Sequence, residues 1–199
     1  MMFKWFILIF IFFILFGIIF YFYETKVTGY ASGYVNISVL NWVAISLNND
    51  TIDWGEGVID YGELNSTLYT NNNHSGIVLR GNWSGAGVTA FEVENIGNVN
   101  CSLSIRNNKN ASQFFGSLSN SNQEYKINVT NKEPNSCSGN LVGQWVDSNI
   151  SLGGTRFCDS FYYLSTNNEV FINVLFTVPY DASNLGNQTD VITITASAV

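Results

Sequence analysis

The sequence predicts an all-β domain, an antiparallel β-sandwich of about nine strands, preceded by one hydrophobic helix at the N-terminus. Three features of the 199-residue chain lead to this prediction: a long apolar run near the start, a two-residue alternation of apolar and polar side chains after it, and short turns rich in Asn, Gly and Ser. Alternation with period two is typical of strands that expose one face to water. Such turns usually join strands.

The apolar run covers residues 5–23 without a charge, and a helix of this length spans about 28 Å, enough to cross a bilayer. Lys4 precedes the run, and Tyr21 and Tyr23 lie where interfacial aromatic residues belong. We therefore expect residues 1–25 to form a single-pass signal anchor with its N-terminus inside, and residues 26–199 to form the extracytoplasmic domain. Cleavage near Ala31, after a small-x-small pattern, is the alternative and would release a secreted protein.

Period-two rows of apolar side chains predict the strands of this domain, and no helical stretch is predicted after the anchor. The best-defined rows lie within residues 34–40, 91–94, 99–105, 125–129, 170–178 and 192–196. Because the strands are short and separated by turns, an immunoglobulin-like or jelly-roll-like sandwich is the expected architecture.

Composition and charge exclude several classes of function. The formal net charge is -7, and the eight basic residues form no stripe, so the chain lacks the electrostatic surface that nucleic-acid binding needs. Only two prolines occur, which excludes a proline-rich stalk. The partners that remain are the membrane at the N-terminal helix, other surface proteins or copies of this chain, and carbohydrate.

Asn-x-Ser/Thr sequons are frequent and suit an extracytoplasmic protein. Asn36, Asn100 and Asn128 fall on the predicted outer faces of their strands, where a glycan has room; the alternative is an Asn-rich polar surface without glycans. The ten candidate sites are Asn36, Asn49, Asn65, Asn73, Asn82, Asn100, Asn110, Asn128, Asn149 and Asn187.

The three cysteines divide by their surroundings. Cys101 belongs to an apolar row and is expected to be a buried free thiol. Cys137 and Cys158 lie in polar, loop-like sequence, and in an oxidising compartment we expect them to form a disulfide. The other two pairings stay open, because sequence alone does not fix connectivity.

No group of residues predicts catalysis, a metal site or a cofactor. His74 is the only histidine, which is too few for the usual zinc or triad chemistry. The acidic stretch with Asp53, Glu56, Asp60 and Glu63 offers paired carboxylates for glycoside hydrolysis or oxygen ligands for calcium, but its glycines favour turns between strands. We therefore predict a protein that is not an enzyme.

Tryptophans are the candidate ligand contacts. Trp54, Trp83 and Trp145 lie in polar or glycine-rich sequence, and aromatic rings on a secreted domain stack on sugars or fill protein pockets. Packing in the core or at an edge is the alternative for each of them.

Two stretches carry a family resemblance. Residues 91–98, Phe-Glu-Val-Glu-Asn-Ile-Gly-Asn, and residues 176–182 with the terminal row at 192–197 resemble secreted prokaryotic, often archaeal, immunoglobulin-like surface proteins. Together with the small residues at 31–33 after the hydrophobic segment, the order is distantly similar to camelysin-type biofilm fibre proteins. The resemblance implies a filament in which the strand at residues 27–40 completes the sheet of the next subunit. The peptidase activity ascribed to that family is not expected here, because no metal-binding signature is present.

These observations lead to one functional hypothesis and one alternative. The first is a non-enzymatic, membrane-anchored or secreted surface protein that acts in adhesion, envelope structure or filament assembly. The alternative is a carbohydrate- or ligand-binding module that uses its exposed tryptophans.

Overall fold

The computed structural model describes residues 37–71, 75–85, 87–116, 122–184 and 186–199. Within these ranges the chain forms thirteen strands and one short helix, α1 (Ala111–Phe115). The strands are β1 (Ile45–Asn49), β2 (Gly57–Ile59), β3 (Asn65–Thr70), β4 (Gly76–Leu79), β5 (Gly81–Trp83), β6 (Phe91–Asn95), β7 (Cys101–Asn107), β8 (Glu124–Asn131), β9 (Cys137–Ser138), β10 (Val146–Asp147), β11 (Thr155–Phe161), β12 (Glu169–Pro179) and β13 (Ile192–Ala198).

All strand pairs are antiparallel, which confirms the all-β prediction. The large sheet has seven strands and is organised around β12. On one side β12 pairs with β8 over eight residues, and β8 pairs in turn with β10. On the other side β12 pairs first with β6 and then with β3. β6 pairs in turn with the edge strand β1, and β3 pairs with the edge strand β4. This change of partner along β12 shapes the outer face of the sheet.

The small sheet has the strand order β13-β7-β11-β9, and β2 and β5 form a separate two-stranded ribbon. The hydrophobic core is shared by both sheets: Val93, Val129 and Ile172 of the large sheet and Leu103 and Phe157 of the small sheet are all at most 2% exposed. Two sheets that enclose one core are the arrangement expected for a sandwich.

A buried amide joins the two sheets. Asn95, at the end of β6, is 1% exposed, and its Nδ2 donates to the carbonyls of Val99 and Phe161, the latter in β11. Its Oδ1 accepts from the Gly97 amide, and its main chain exchanges two hydrogen bonds with Asn168. Because the side-chain amide is bonded at both ends, its burial does not leave a polar atom unpaired.

The disulfide joins Cys137 in β9 to Cys158 in β11, as predicted. The predicted polar, loop-like surroundings are wrong, because both residues lie in paired strands and are at most 4% exposed. Of their sequence neighbours, Ser138 and Asp159 are exposed, whereas Ser136 and Phe157 are buried. Cys101 is a buried free cysteine, also as predicted. Burial raises the pKa of its thiol, which keeps it protonated and unreactive.

The short helix α1 corrects the prediction that no helical stretch follows the anchor. Asn110 caps it: its side chain accepts from the Gln113 amide, and the Gln113 side chain accepts from the Asn110 amide. Phe114 packs against Tyr125 and Phe176, so aromatic contacts hold this single turn against the large sheet. The sequence has no helical periodicity here because one turn is too short to show it.

The predicted strand over residues 34–40 is not formed in its described part. Residues 37–40 lie outside any strand, and Ile37, Val39 and Leu40 are each at least 80% exposed. An alternating sequence does not by itself provide a strand to pair with, and no described strand pairs with residues 37–40. The strand number also differs from the predicted nine, because several of the thirteen strands have only two or three residues and carry no visible alternation.

The chain divides into two compact units, Met1–Val39 and Leu40–Val199. The predicted helix over residues 1–25 lies outside the described ranges. Among the residues that are described, no helix combines the length and apolarity needed to cross a bilayer.

We expect loss of the Cys137–Cys158 disulfide to lower the free energy of unfolding by about 3 kcal/mol, because the bond closes a loop of about 20 residues. Urea denaturation with and without reductant measures this. The Cys101→Ala variant is the matched control and should lose the same amount on reduction, since Cys101 is not bonded. Insensitivity of the wild-type protein to reductant would contradict the expectation.

Replacing Asn95 with Ala should cost about 2–4 kcal/mol of unfolding free energy, because the Val99 and Phe161 carbonyls and the Gly97 amide all lose their partner in a buried site. Asn48→Ala, a change at an exposed position of β1, should stay within about 0.5 kcal/mol. Equal effects of the two substitutions in denaturant titrations would show that the amide does not join the sheets.

Candidate functional site

A polar groove lies on the outer face of the large sheet. On β8 the side chains opposite the core alternate as Glu124, Lys126, Asn128 and Thr130, and Lys132 follows the end of the strand, so two charged ends enclose an uncharged centre. Asn173 of β12 pairs in register with Asn128 and adds a second amide to that centre. The groove has a volume of about 550 Å³ and is lined by Tyr69, Thr70, Asn71, Asn128, Thr130, Gly143, Trp145 and Asn173.

Hydrogen bonds fix the floor of the groove. Asn173 is 2% exposed; its Nδ2 donates to Thr130 Oγ1 at 3.1 Å, and its Oδ1 accepts from Thr70 Oγ1 at 3.4 Å. Thr70 Oγ1 also accepts from the Val174 amide at 3.0 Å, at the point where β12 changes partner from β6 to β3. The change of partner therefore produces a rigid polar floor.

Asn128 differs from Asn173. It is 8% exposed, and its Oδ1 is buried without a hydrogen-bond partner among the described residues. A buried acceptor without a partner is destabilising, and such a group in a native site calls for an explanation. Asn128 lines the groove, although its Oδ1 atom is itself buried.

Two aromatic side chains flank the floor. Trp145 immediately precedes β10, which pairs with β8, and is 37% exposed. Tyr69 is half-buried on β3, on the other side of β12. Three inter-strand spacings, about 14 Å, separate the strands that carry these two rings. A molecule in the groove thus meets aromatic surface on two sides and amides below.

The charged residues at the ends of the groove are paired with each other. Lys126 and Glu124 lie 2.5 Å apart, and Lys132 contacts both Glu92 and Glu169, the latter at 2.7 Å. Partial burial works against the charge of Lys132, but the bonds to Glu169 and Glu92 raise its pKa above the ordinary value. These pairs leave neither Lys126 nor Lys132 without a carboxylate partner.

Only one of the three predicted tryptophans lines the groove. Trp54 is 8% exposed and its ring lies against Gly76, so it packs within the fold instead of facing a ligand. Trp83 covers the backbone of Gly57 in the β2–β5 ribbon, where a Cβ atom would lie 2.2 Å from the indole ring. Trp145 is the tryptophan that a ligand can reach in the groove.

The acidic candidates do not take part in the groove. Asp53, Glu56, Asp60 and Glu63 are all exposed, and Asp53 Oδ1 accepts from the Gly55 amide within a turn. His74 lies outside the described residues. In the described ranges, no three His, Cys, Asp or Glu side chains come together in a way that could hold a metal ion.

The sequons occupy different environments. Asn36 and Asn73 lie outside the described residues. Asn82 is exposed, whereas the Asn49 Nδ2 donates to Thr89 and to the Ala90 carbonyl. The Asn149 Nδ2 donates to Thr155 Oγ1, Asn65, Asn100 and Asn110 are half-buried, and Asn187 is exposed. Asn128 does face away from the core, but the predicted room for a glycan is absent, because the groove buries it.

Sequence reasoning missed most of this site. Asn173 interrupts a long apolar row in β12, and Asn128 and Thr130 alternate in β8; an uncharged polar residue inside an apolar strand was the available signal. No signal in the sequence marks Tyr69 and Thr70, because only the pairing of β3 with β12 places them beside the other residues that line the groove.

A second surface open to contact is the outer edge of β13. Among the strands that the structure describes, β13 pairs only with β7, and its seven residues include no charge and no proline. Natural edge strands commonly carry one or the other, which prevents pairing with another chain.

Comparison of the chain with protein-family models, with curated proteins and with solved structures gives no match. The resemblance to camelysin-type and immunoglobulin-like surface proteins therefore stays a prediction from the sequence.

In a host that glycosylates Asn-x-Ser/Thr sequons, we expect a glycan at Asn82 but none at Asn128 or Asn49 in the folded, secreted protein. Intact-mass measurement of Asn82→Gln should show the loss of one glycan, whereas Asn128→Gln should leave the glycan mass unchanged. A glycan on Asn128 in folded protein would mean that the outer face of β8 is open.

Proposed function

We propose that the protein is a non-enzymatic extracytoplasmic module that works by contact, in adhesion, envelope structure or filament assembly. The observation that carries this proposal is the uncharged edge of β13, which offers unpaired main-chain groups to another chain. In this proposal the two sheets belong to an immunoglobulin-like or jelly-roll-like sandwich, held at the membrane by the N-terminal helix or secreted after cleavage near Ala31.

Two further features support an extracytoplasmic, assembling protein. The disulfide belongs to an oxidising compartment, because cytosolic thiols are kept reduced. Residues 37–40 are the described end of the segment that the family resemblance assigns to strand exchange, and their three apolar side chains, Ile37, Val39 and Leu40, are exposed. Such a segment gains burial by adding to an open edge such as that of β13 on another copy.

Carbohydrate binding is the second candidate function, and the groove is the observation that favours it. Its aromatic rings and amides are the groups with which proteins hold sugars, and adhesion through a surface glycan is compatible with either role.

Sedimentation velocity of the full-length chain in mild detergent, with negative-stain imaging, tests the assembly proposal. We expect heavier species to appear as concentration rises, because each copy offers an open edge. Thr195→Lys, at an exposed position of β13, should weaken association at least about tenfold by placing a charge on the edge. Deleting residues 26–40 should abolish it if strand exchange is the mechanism.

Thr51→Lys is the matched control, since Thr51 is exposed in the loop after β1 and is not part of β13. It should associate like the unmodified chain. A monomer at every concentration would end the assembly proposal, and equal weakening by both lysine variants would assign the effect to net charge instead of the edge.

A further inference from the structure

We propose that the groove on the outer face of the large sheet binds a neutral saccharide, with Trp145 and Tyr69 against the apolar faces of the sugar and the Asn128 side-chain amide bonded to a hydroxyl. This inference concerns the ligand of the groove and is independent of self-association through β13.

The charge of the lining selects the ligand class. None of the eight lining residues is charged, and Lys126 and Lys132 at the ends are already paired with carboxylates. An anion finds no free cation here and a metal ion finds no carboxylate, so burying either one would leave its charge unbalanced. A neutral molecule with many hydroxyl groups meets no such penalty, because amides and hydroxyls can bond to it.

The unpartnered amide of Asn128 points to a polar group on the ligand. Its Oδ1 accepts no hydrogen bond from the described residues, although Asn128 is only 8% exposed. Because Oδ1 itself is buried, the Asn128 side chain has to rotate for a sugar hydroxyl to donate to Oδ1 and accept from the amide nitrogen, which would then satisfy both ends of the group. Asn173 is already bonded to Thr130 and Thr70, so it holds the floor in place while Asn128 contacts the ligand.

The aromatic walls and the size of the groove suit the same ligand. Sugars carry C–H groups on one or both faces of the ring, and these pack on indole and phenol rings. The volume of about 550 Å³ falls in the range of about 300–1,000 Å³ for small-ligand sites, enough for a short oligosaccharide. Trp145 is partly exposed, so it can cover a ligand that enters from solvent.

A peptide is the rival occupant, and the backbone of the floor disfavours it. Extended peptides gain affinity by adding to a free strand edge, whereas β8 and β12 pair with each other through this floor. The outer side of β8 bonds to β10 and to the Gly143 amide, and Thr70 bonds to the Val174 amide on the other side of β12. A polyproline-type peptide in an aromatic groove would not need a free edge, so it has to be tested directly.

Titration calorimetry and Trp fluorescence on the full-length chain in mild detergent test the proposal. The protein is produced in a host without N-glycosylation, so that its own glycans cannot occupy the groove. The probes are neutral di- to tetrasaccharides of glucose, galactose, mannose and N-acetylglucosamine, an oligogalacturonate, a heparin tetrasaccharide, and a proline-rich decapeptide. We expect at least one neutral saccharide to bind and to shift the Trp emission, and the charged sugars and the peptide not to bind.

Trp145→Ala should weaken saccharide binding at least about tenfold, and Asn128→Ala should weaken it by a similar factor. Trp42→Ala is the matched control, because Trp42 is 57% exposed but lies outside the groove; it should bind like the unmodified chain. Unchanged thermal melting of each variant shows that the fold is intact.

Three results would overturn the proposal. The first is no binding of any neutral saccharide up to millimolar concentration. The second is binding of the peptide or of the charged sugars alone. The third is saccharide binding that survives Trp145→Ala in a folded protein, which would place the sugar elsewhere. None of these results depends on whether the chain associates through β13, so the two proposals fail separately.

Discussion

The side-chain amide of Asn95 is the interaction on which the arrangement of the two sheets depends. It lies where β6 ends, and it bonds to the Val99 carbonyl, to the Phe161 carbonyl in the small sheet, and to the turn at Gly97. Hydrophobic contacts hold the core together without direction, whereas this amide fixes how the end of one sheet meets the other. The same turn continues to Asn98, whose side chain bonds the segment leading into β1 at Trp42.

The second constraint is the change of partner along β12. β6 ends and β3 begins beside the same strand, β12. At this junction the main-chain amide of Val174 needs another acceptor, and the Thr70 hydroxyl supplies it. The polar groups that repair this junction continue across the sheet through Asn173 and Thr130. The groove is thus a consequence of the topology: the sheet has a polar centre where its strand order changes, and the segment before β10 brings Trp145 next to it.

Period-two alternation was sufficient to predict β6, β7, β8, β12 and β13, because alternate side chains of each strand are apolar and pack on the core. It did not predict that residues 170–174 of β12 are buried on both faces. It failed at residues 37–40, which alternate equally well but have no partner among the described strands. The disulfide could be predicted from the surroundings of the cysteines and the expected compartment, whereas its buried position depends on the pairing of β9 with β11. The groove was beyond sequence reasoning for the same reason, since Tyr69, Asn128 and Asn173 come from three strands that only sheet register brings together.

In an Asn-rich sequence, the residue type alone does not show which side-chain amides stabilise the fold and which contact a ligand. Asn95 has both ends of its amide bonded within the protein, and Asn98 bonds the chain that enters β1. Asn128 has the same burial as a structural amide but an acceptor that the described part of the protein does not satisfy. Burial alone therefore does not separate structure from function here. Asn100, Asn107 and Asn167 also have a buried amide atom without a partner among the described residues, so a missing hydrogen bond alone does not separate them either. What distinguishes Asn128 is that it also lines the groove.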